Sequence, residues 1–571
     1  MRVAVVGAGP CGLTTIKQLV DEGHEVVCYE KNGDLGGIWL REGDDADQMK
    51  AFDNLYLTIS MKLMAYSDHP FQGERVFYTR AQYLDYLRDY ATKFALAQYI
   101  QYSTEVSDIE RCGDGWTITT VHDGAQSRDV FDAVAVCSGP FKTPYRDIPE
   151  LADFGGEIVH SAEYRNAERF RGQRVLVVGL AESGADIVRE IGDVASATTL
   201  AIRSYNFLLP RVFNGTRTTD HGTVRSHHHE MLRRATDHPF VLNTFWGRSR
   251  IGKALFFAVS VILGVLTTIE GAFIMLRAKL DPSKRPPRPA TNPFGEPVDP
   301  PKLDLGTMHT DANFEMIRTW NRRSHPDGNW TQRAIFSKNV TFIPSIVEGK
   351  VTLNDAGIAS SNGNTVTFRD GTSTEFDTIV LCTGFTTERL AIGDLEVKEG
   401  NVRNLYKHFL HPEHNGTAAF IGFVRPFSGG IPICAEMQAR YFARVCSGKL
   451  QPPRNIDEQI GRDKEWEEHF TALSPNHPES IPSQVLYLDS LAAEIGCLVP
   501  MRMMLTNPKL FIQLWFGPFN QASYRIVGPH NMGQAALDDL YSEFVDNRRE
   551  MALRMSLLQL MPANVHPRDM M

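Results

Sequence analysis

The chain has 571 residues, a formal net charge of −9 and a hydrophobic fraction of 42%, which is typical of a globular enzyme. At roughly 100 to 200 residues per domain, this length predicts three or four domains. The negative charge argues against a nucleic-acid-binding surface, so any bound phosphate must be held by local amides and individual arginines. The eight cysteines are scattered without zinc-ligand spacing and are interpreted as buried thiols of a reducing compartment.

The chain opens on an apolar strand, MRVAVVG, followed by a glycine turn and the start of a helix. In this pattern the glycines allow a tight turn, the helix N-terminus faces a pyrophosphate, and an acidic residue ending the next strand accepts ribose hydroxyls. A second glycine pair in GDLGGIW suits a longer dinucleotide such as FAD. The residues expected to bind this first cofactor are Gly7, Gly9, Gly12, Glu30, Gly36, Gly37 and Trp39.

A second strand, turn and helix begin at Arg174 in RVLVVGLAESGA. Here Ala181 replaces the middle glycine, and Glu182 adds a negative charge beside the expected phosphates. The next strand, TTLAIR, ends on arginine where a site specific for NAD would carry an acid, and arginine suits the 2′-phosphate of NADPH. The alternative is a solvated arginine at a strand end. The residues expected to bind NADPH are Gly179, Ser183, Gly184 and Arg203.

Each glycine turn is followed, after a long interval, by a nearly identical strand ending, FDAVAVCSG at 131–139 and FDTIVLCTG at 376–384. This repeat of a glycine turn followed by a similar strand ending predicts an α/β protein with two Rossmann-like dinucleotide-binding domains, the second inserted into the first. In the second ending, Thr383 and Gly384 are further candidate cofactor contacts. The predicted divisions are a first part of the FAD domain at 1–165, an NADPH domain at 166–335 with an apolar helical insertion at about 225–302, a return of the FAD domain at 336–450, and a C-terminal region at 451–571.

One segment, Ala254 to Leu276, is apolar apart from Glu270 and is long enough to span a bilayer core of about 30 Å. The carboxylate would be costly near the bilayer centre. Two interpretations stay open, a buried helical subdomain and a helix that touches or dips into a membrane. Because the chain opens directly on a strand, no cleaved signal peptide is expected, and the predicted location is cytoplasmic, with membrane association as the alternative.

A histidine run and a proline-rich stretch lie between the second glycine turn and the strand ending at 376–384. The prolines of residues 280–302 predict a surface excursion. SHHHE at 226–230 is interpreted as a solvated run, because consecutive histidines do not converge on one ion, and no metal site is predicted.

The stretch FGGEIVHSAEY lies between the two nucleotide patterns and has the form FxGxxxHxxxY, with Phe154, Gly156, His160 and Tyr164. The segments GAGPCGL, GGIW, SDHPF, CTGF, GFVRPFSGGIPICAEMQAR and TNPKLFIQLWFGPFNQASYRIVGP accompany it. With these segments the chain resembles the flavin-containing monooxygenases, class B flavoprotein monooxygenases, over nearly its whole length. The resemblance implies that the stretch links an FAD domain to an NADPH domain, and Tyr164 favours the heteroatom-oxidising branch over Baeyer–Villiger enzymes. His160 is either a hydrogen-bonding hinge residue or a general base.

The resemblance also implies a mechanism in which the cofactors carry most of the chemistry. NADPH reduces FAD, the reduced flavin captures O2 as a C4a-hydroperoxide, and a soft nitrogen or sulfur centre of a small organic substrate takes the distal oxygen. The protein must exclude water from this adduct. The alternatives are a Baeyer–Villiger monooxygenase acting on a ketone and an NADPH oxidase-like flavoprotein that releases peroxide. A disulfide reductase is disfavoured because no CxxxxC follows the first glycine turn.

The chain departs from the family at one position, since the family's usual asparagine falls on Thr58 in LTISMKLMAYSD. Threonine keeps a hydroxyl but lacks the two donors of an amide. Thr58 is therefore a candidate catalytic residue, and a leakier or differently selective oxygen adduct is expected. The alternative is a threonine with no role in the reaction. The sequence leaves the substrate and the oligomeric state open.

Overall fold

The computed structural model describes residues 1–41, 51–141, 143–213, 217–225, 311–324, 336–386, 391–414, 416–426, 429–471 and 483–543, and a few single positions or short pieces between them. The two largest sheets each contain five strands that run parallel throughout. Two antiparallel three-stranded sheets accompany them. The predicted α/β fold with two dinucleotide-binding units is confirmed.

The strands of these four sheets are, in chain order, β1 (Arg2–Val6), β2 (Glu25–Tyr29), β3 (Ile100–Gln101), β4 (Thr104–Cys112), β5 (Gly115–His122), β6 (Ala125–Phe131), β7 (Ala133–Val136), β8 (Glu157–His160), β9 (Arg174–Val178), β10 (Ala197–Ala201), β11 (Val351–Asn354), β12 (Ile358–Asn362), β13 (Thr365–Phe368), β14 (Ser373–Glu375), β15 (Thr378–Leu381) and β16 (Ala418–Phe420). Smaller pairs are formed by Thr143–Pro144, Phe207–Leu208, Val212–Phe213, Arg217–Thr218, Phe336–Ser337, Phe385–Thr386, Ala391–Ile392, Leu395–Glu396, Arg425–Pro426 and Ser480–Ile481.

The α-helices are α1 (Pro10–Asp21), α2 (Met61–Met64), α3 (Arg80–Lys93), α4 (Glu182–Val194), α5 (Asp311–Ser324), α6 (Ile343–Val347), α7 (Ile431–Cys446), α8 (Ile456–Phe470), α9 (Gln484–Ile495), α10 (Met501–Thr506), α11 (Pro508–Phe516) and α12 (Gln534–Ser542).

The first parallel sheet has the strand order β16-β7-β1-β2-β3, with the antiparallel sheet β4-β5-β6 inserted before β7. Its central strand β1 is fully buried at Val3, Ala4 and Val5. A continuous apolar run of this kind is expected of a parallel strand that is covered on both faces. The glycine turn after β1 therefore lies at the carboxyl edge of a well-packed sheet.

The second parallel sheet has the order β11-β10-β9-β15-β8 and repeats this plan, with the antiparallel sheet β12-β13-β14 placed before β15. Within each unit the closing strand pairs with the strand that precedes the glycine turn, β7 with β1 and β15 with β9. The sequence repeat is thus a repeat of a complete folding unit.

This topology corrects the predicted return to the FAD domain at 336–450. The strand in FDTIVLCTG is β15, and it pairs with β9 and β8 of the second sheet rather than with the first sheet. The chain rejoins the first sheet only at β16, which pairs with β7. Likewise, β8 lies within the predicted first part of the FAD domain, residues 1–165, but it belongs to the second sheet. The predicted position of the second closing strand is wrong, because similarity between two strands does not specify which neighbouring strands each of them pairs with.

The apolar segment 254–276 lies outside the described residues except at four positions. Val265, Ile269, Phe273 and Leu276 are helical and exposed. No helix of the described part of the chain is both long and apolar enough to cross a membrane.

The proline-rich segment and the histidine run each contribute a buried residue. Phe294, in the predicted surface excursion, is buried and its ring stacks on that of Phe77 at 5.0 Å. His228 is also buried, and its Nδ1 lies 2.8 Å from the Ser483 hydroxyl, so the prediction of a solvated histidine run is wrong at this residue.

Residues 483–543 are joined to the first unit by a buried group of charged side chains, here called the Arg525 cluster. Its members are Arg525, Asp68, Glu436, Lys17 and Ser67. The Arg525 guanidinium lies 2.9 Å from Asp68 and 2.8 Å from Glu436, and the Lys17 ammonium lies 2.8 Å from Asp68. Burial alone would raise the pKa of Asp68, but Arg525 and Lys17 hold it well below its usual range. The cluster brings the segments SDHPF and SYRIVGP, which are distant in sequence, into direct contact.

Candidate functional site

The first glycine turn is shaped for the close approach of a ligand. Gly7 has a φ of +99°, and a Cβ on Gly12 would stand 1.8 Å from the Gly7 carbonyl oxygen. Helix α1 follows, and its N-cap residue Gly9 supplies no side-chain cap for the first amides. These amides and the positive end of the helix dipole are therefore available to a pyrophosphate.

Glu30 lies directly beside this turn. It is buried, and its carboxylate accepts hydrogen bonds from the Ala8 amide at 2.7 Å and the Asn32 amide at 2.9 Å. The second glycine pair packs on the same turn, because the Gly36 amide donates to the Ala8 carbonyl at 3.0 Å. The glycine turn, the second glycine pair and Glu30, all predicted to bind FAD, are thus brought together at one edge of the first sheet.

The second glycine turn has the same shape despite its alanine. Gly179 has a φ of +94°, and a Cβ on Gly184 would stand 2.8 Å from the Gly179 carbonyl oxygen. Ala181, the N-cap residue of α4, has a φ of −135°, which any residue adopts. The middle position therefore does not need glycine for its backbone conformation.

The charge of Glu182 is also accommodated. Its carboxylate turns toward the Lys338 amide, which donates to it at 2.6 Å. Burial raises the pKa of Glu182 above its ordinary value, while the charges of Arg211 and Arg425 and the Lys338 amide oppose this shift. Repulsion of a nearby phosphate is reduced accordingly. Ser183, the next residue, is exposed, and Arg203 is exposed two residues beyond the end of β10.

Both turns contribute to one cavity of about 820 Å³. The first unit lines it with Gly7, Gly9, Glu30, Gly37 and Trp39, among others. The second unit lines it with Glu182, Ser183, Asp186 and Lys338. Two nucleotides bound at these turns would therefore meet in a shared space.

Thr58 lines this cavity between the two units and is half-buried. Its segment is fixed on both sides by backbone hydrogen bonds, from the Leu57 amide to Tyr78 at 2.8 Å and from the Met61 amide to Val76 at 2.7 Å. Within the described residues the Thr58 hydroxyl has no hydrogen-bond partner, so it is available to a ligand.

The second unit reaches this segment through Asp220, which sequence reasoning missed. Asp220 is fully buried, accepts a hydrogen bond from the Ser60 amide, and forms an ion pair with Lys338 at 2.9 Å. Burial would raise the pKa of Asp220, but the Lys338 charge and the Ser60 amide lower it. No motif marks these three residues, because they lie far apart along the chain.

The linker stretch 154–164 packs mainly within the second unit, and its Tyr164 ring also contacts that of Phe52 at 5.7 Å. A Cβ on Gly156 would meet the Phe154 ring at 2.8 Å, and the Tyr164 hydroxyl donates to Glu190 of α4 at 2.7 Å. His160 Nδ1 accepts the Ala162 amide at 3.1 Å, so Nε2 carries the proton and faces the Gly384 carbonyl at 3.0 Å. Burial lowers the pKa of His160. With both ring nitrogens engaged, the hinge interpretation of His160 is favoured over the general base.

Thr383 and Gly384 do not line the cavity and contact Tyr145 instead. The Thr383 hydroxyl donates to the Tyr145 carbonyl, and the Gly384 carbonyl accepts from the Tyr145 amide at 2.9 Å.

The N-terminus of helix α7 and Arg425 also line the cavity. Gly429, Gly430 and Ile431 line the cavity, and Gly430 caps α7 without a side chain. The free amides favour negative charge here. Arg425 was missed as a site residue, although it lies in GFVRPFSGGIPICAEMQAR, one of the segments that carry the family resemblance.

Comparison with known proteins matches the chain almost from end to end. A family model described as flavin-binding monooxygenase-like matches residues 1–248 and 324–548. A 4-hydroxybenzoate brominase (decarboxylating) from Marinomonas mediterranea is 34% identical over 547 residues, covering 94% of this chain and 92% of the relative. Human flavin-containing monooxygenase 1 is 29% identical over 546 residues, covering 92% and 89%.

Among solved structures, S-allyl-L-cysteine S-oxygenase from Allium sativum superposes with a TM-score of 0.55 at 19% identity. The superposition covers 97% of this chain and 98% of that structure. At this identity, the likeness concerns the fold.

Proposed function

The chain belongs to the flavin-binding monooxygenase-like family, and from this premise we propose that it uses NADPH and O2 to oxygenate a soft nitrogen or sulfur centre of a small organic substrate. The observation that carries the proposal is the single cavity lined by both glycine turns. Bound FAD supplies the redox chemistry, accepting a hydride from NADPH and activating O2 for transfer of one oxygen atom.

The first unit holds FAD. The α1 amides after Gly9 bind the pyrophosphate, the close contact of Gly7 and Gly12 brings the backbone to it, and Glu30 accepts the ribose hydroxyls. Gly36, Gly37 and Trp39 extend this surface toward Thr58.

The second unit holds NADPH. The α4 amides near Ser183 bind its pyrophosphate, between Gly179 and Gly184. Arg203 pairs with the 2′-phosphate, and this pairing selects NADPH over NADH.

The remaining task of the protein is to position groups and exclude water. Thr58 offers a hydroxyl between the two turns, and Asp220 and Lys338 hold its segment against the second unit. A threonine provides fewer donors than the asparagine usual in the family, so more reductant is lost as hydrogen peroxide.

The test supplies FAD-loaded protein with NADPH, O2 and either a thioether or a tertiary amine, and follows NADPH consumption and product together. We expect one sulfoxide or N-oxide oxygen to originate from O2, and NADP⁺ titration to give saturable binding independently of turnover. In a parallel incubation with a ketone as the substrate, formation of an ester would instead support Baeyer–Villiger oxidation. Substrate-independent NADPH oxidation with peroxide as the sole product would support the oxidase-like alternative.

A second candidate is oxidation of a halide, which is favoured by the 34% identity to a protein named as a brominase of 4-hydroxybenzoate. Bromide is also a soft nucleophile. Transfer of one oxygen atom and a proton to bromide gives hypobromous acid, which replaces an aromatic carboxyl group by bromine and releases CO2 and water. Incubation with 4-hydroxybenzoate and bromide tests this candidate, because a brominated phenol would form only with both present.

A further inference from the structure

Glu182 places a carboxyl group at the start of helix α4, where a dinucleotide-binding unit holds a pyrophosphate. It follows the N-cap residue Ala181 and lines the shared cavity together with Ser183. One oxygen, Oε1, accepts a hydrogen bond from the Lys338 amide at 2.6 Å. The other, Oε2, is buried and has no hydrogen-bond partner in the described part of the chain. A negative charge on this group is therefore incompletely compensated.

Two cations near Glu182 form their ion pairs with other carboxylates. The Arg211 guanidinium lies 2.9 Å from Asp186, and the Lys338 ammonium lies 2.9 Å from Asp220. Asp186 also lines the cavity, and its negative charge acts on Glu182 as a like charge. These pairs leave Glu182 with attraction from a distance and without a close ion pair of its own.

Arg425 is the remaining cation that acts on Glu182, and its charge acts on Glu479 as well. The charges of Arg211 and Arg425 lower the pKa of Glu182, and so does the amide of Lys338. Burial outweighs all three, and the pKa of Glu182 stays above its ordinary value. The group is thus already inclined toward its neutral form before a nucleotide binds.

A pyrophosphate bound at α4 would shift Glu182 further in the same direction. Without a nucleotide, the first amides of α4 and the positive end of its dipole favour an ionised carboxylate. A bound pyrophosphate takes these amides and brings its own negative charges beside the carboxylate, and like charges in a partly enclosed cavity repel strongly. A proton on Oε2 removes this repulsion and leaves Oε1 to accept the Lys338 amide.

We propose that Glu182 is a coenzyme-positioning residue that holds a proton on Oε2 whenever NADPH or NADP⁺ is bound at the second glycine turn, so that binding of the coenzyme takes up a proton. This inference rests on the proposed binding of NADPH at that turn and adds a proton to it. The neutral acid ties the start of α4 to the Lys338 amide without repelling the pyrophosphate. By linkage, the affinity for the coenzyme falls by about tenfold per pH unit above the pKa that Glu182 has without the coenzyme.

The experiment measures the Kd for NADP⁺ between about pH 6 and pH 9 with FAD-loaded wild type and Glu182→Gln, which keeps the shape of the neutral acid. From pH 7 to pH 9 we expect the Kd of wild type to rise by at least about tenfold and that of Glu182→Gln by less than about twofold. Glu168→Gln, which removes an exposed carboxylate paired with Arg171, is the control and should follow wild type.

Calorimetry in two buffers of different ionisation enthalpy measures the proton directly. Wild type should take up more protons on binding NADP⁺ than Glu182→Gln does. The 2′-phosphate of NADP⁺ has a second pKa near about 6, and it titrates alike in both proteins, so the difference between them belongs to Glu182.

The same pH dependence and the same proton uptake in wild type and Glu182→Gln would show that Glu182 does not hold the proton, and the inference would be wrong while the proposed function stands. If Glu182→Gln does not fold, wild type decides. A Kd that stays constant from pH 7 to pH 9 would then contradict the inference, and a rise together with proton uptake would support it. Failure of wild type to bind NADP⁺ at any pH would instead overturn the proposed coenzyme site and the proposed function with it.

Discussion

Thr58 lines the shared cavity, and within the described residues its hydroxyl has no hydrogen-bond partner. Thr58→Asn should reduce hydrogen peroxide released per NADPH by roughly fivefold, because one added hydrogen bond is worth about 1 kcal/mol. Thr58→Val, which keeps the shape and removes the hydroxyl, should increase peroxide release. Parallel peroxide and NADPH assays measure both effects, and identical coupling in all three proteins would remove Thr58 from the reaction.

His160 makes the stability of the linker depend on pH. Its folded-state pKa is lowered by burial and by the nearby Arg146 charge, so the unfolded chain takes up more protons as the pH falls below about 6.5. The free energy of unfolding should therefore decrease between pH 7.5 and 5.5. His160→Gln, which can still donate and accept hydrogen bonds, should show a smaller decrease in urea unfolding. Equal decreases in the two proteins would show that His160 does not contribute.

Arg425 and Asp220 show which site residues sequence reasoning could not identify. Glu30 and the glycines are recognisable because their spacing within one strand, turn and helix is dictated by the ligand. Asp220 has no such signal, since it acts on Ser60 and Lys338, each more than a hundred residues away. For Arg425 the segment was identified, but nothing in its spacing indicates that this side chain lines the cavity.

At the scale of elements, the start of helix α1 offers a matched pair of substitutions. Gly12→Ala would place a Cβ 1.8 Å from the Gly7 carbonyl, so helix and turn must separate. Gly9→Ala would meet only Gly37 Cα at 3.5 Å, an ordinary contact. We expect Gly12→Ala to lose both flavin and thermal stability, and Gly9→Ala to lose flavin while keeping the stability of the apoprotein. Flavin-to-protein absorbance and thermal unfolding measure this, and a flavin-replete Gly12→Ala would contradict it.

The sheets show how far a sequence pattern can specify topology. The two strand, turn and helix units and their closing strands were predicted from the repeat, and both exist. The neighbours of β15 were not predictable, because β7 (AVAV) and β15 (TIVL) are both short, buried strands that follow Phe-Asp and precede Cys-x-Gly. In the structure, β15 follows the antiparallel sheet β12-β13-β14 of the second unit and pairs with β9 of the same unit.

At the scale of the whole molecule, the Arg525 cluster is one of the buried polar connections between residues 483–543 and the first unit. Arg525→Leu leaves buried Glu436 without its cation and Asp68 with Lys17 alone, which should lower the free energy of unfolding by about 3 to 5 kcal/mol. Arg171→Gln, which removes an exposed pair with Glu168, should change it by less than about 1 kcal/mol. Urea unfolding compares them, and equal effects would mean that the cluster is not a stabilising connection.

The central claim concerns the two glycine turns, which must deliver a hydride donor to a flavin in one cavity. The most direct measurement is anaerobic addition of NADPH to the FAD-loaded protein, with the visible flavin absorbance as the readout. We predict that the yellow absorbance disappears with NADPH, more slowly with NADH, and returns when O2 is admitted. Protein that binds FAD but keeps its absorbance in the presence of NADPH would contradict the claim.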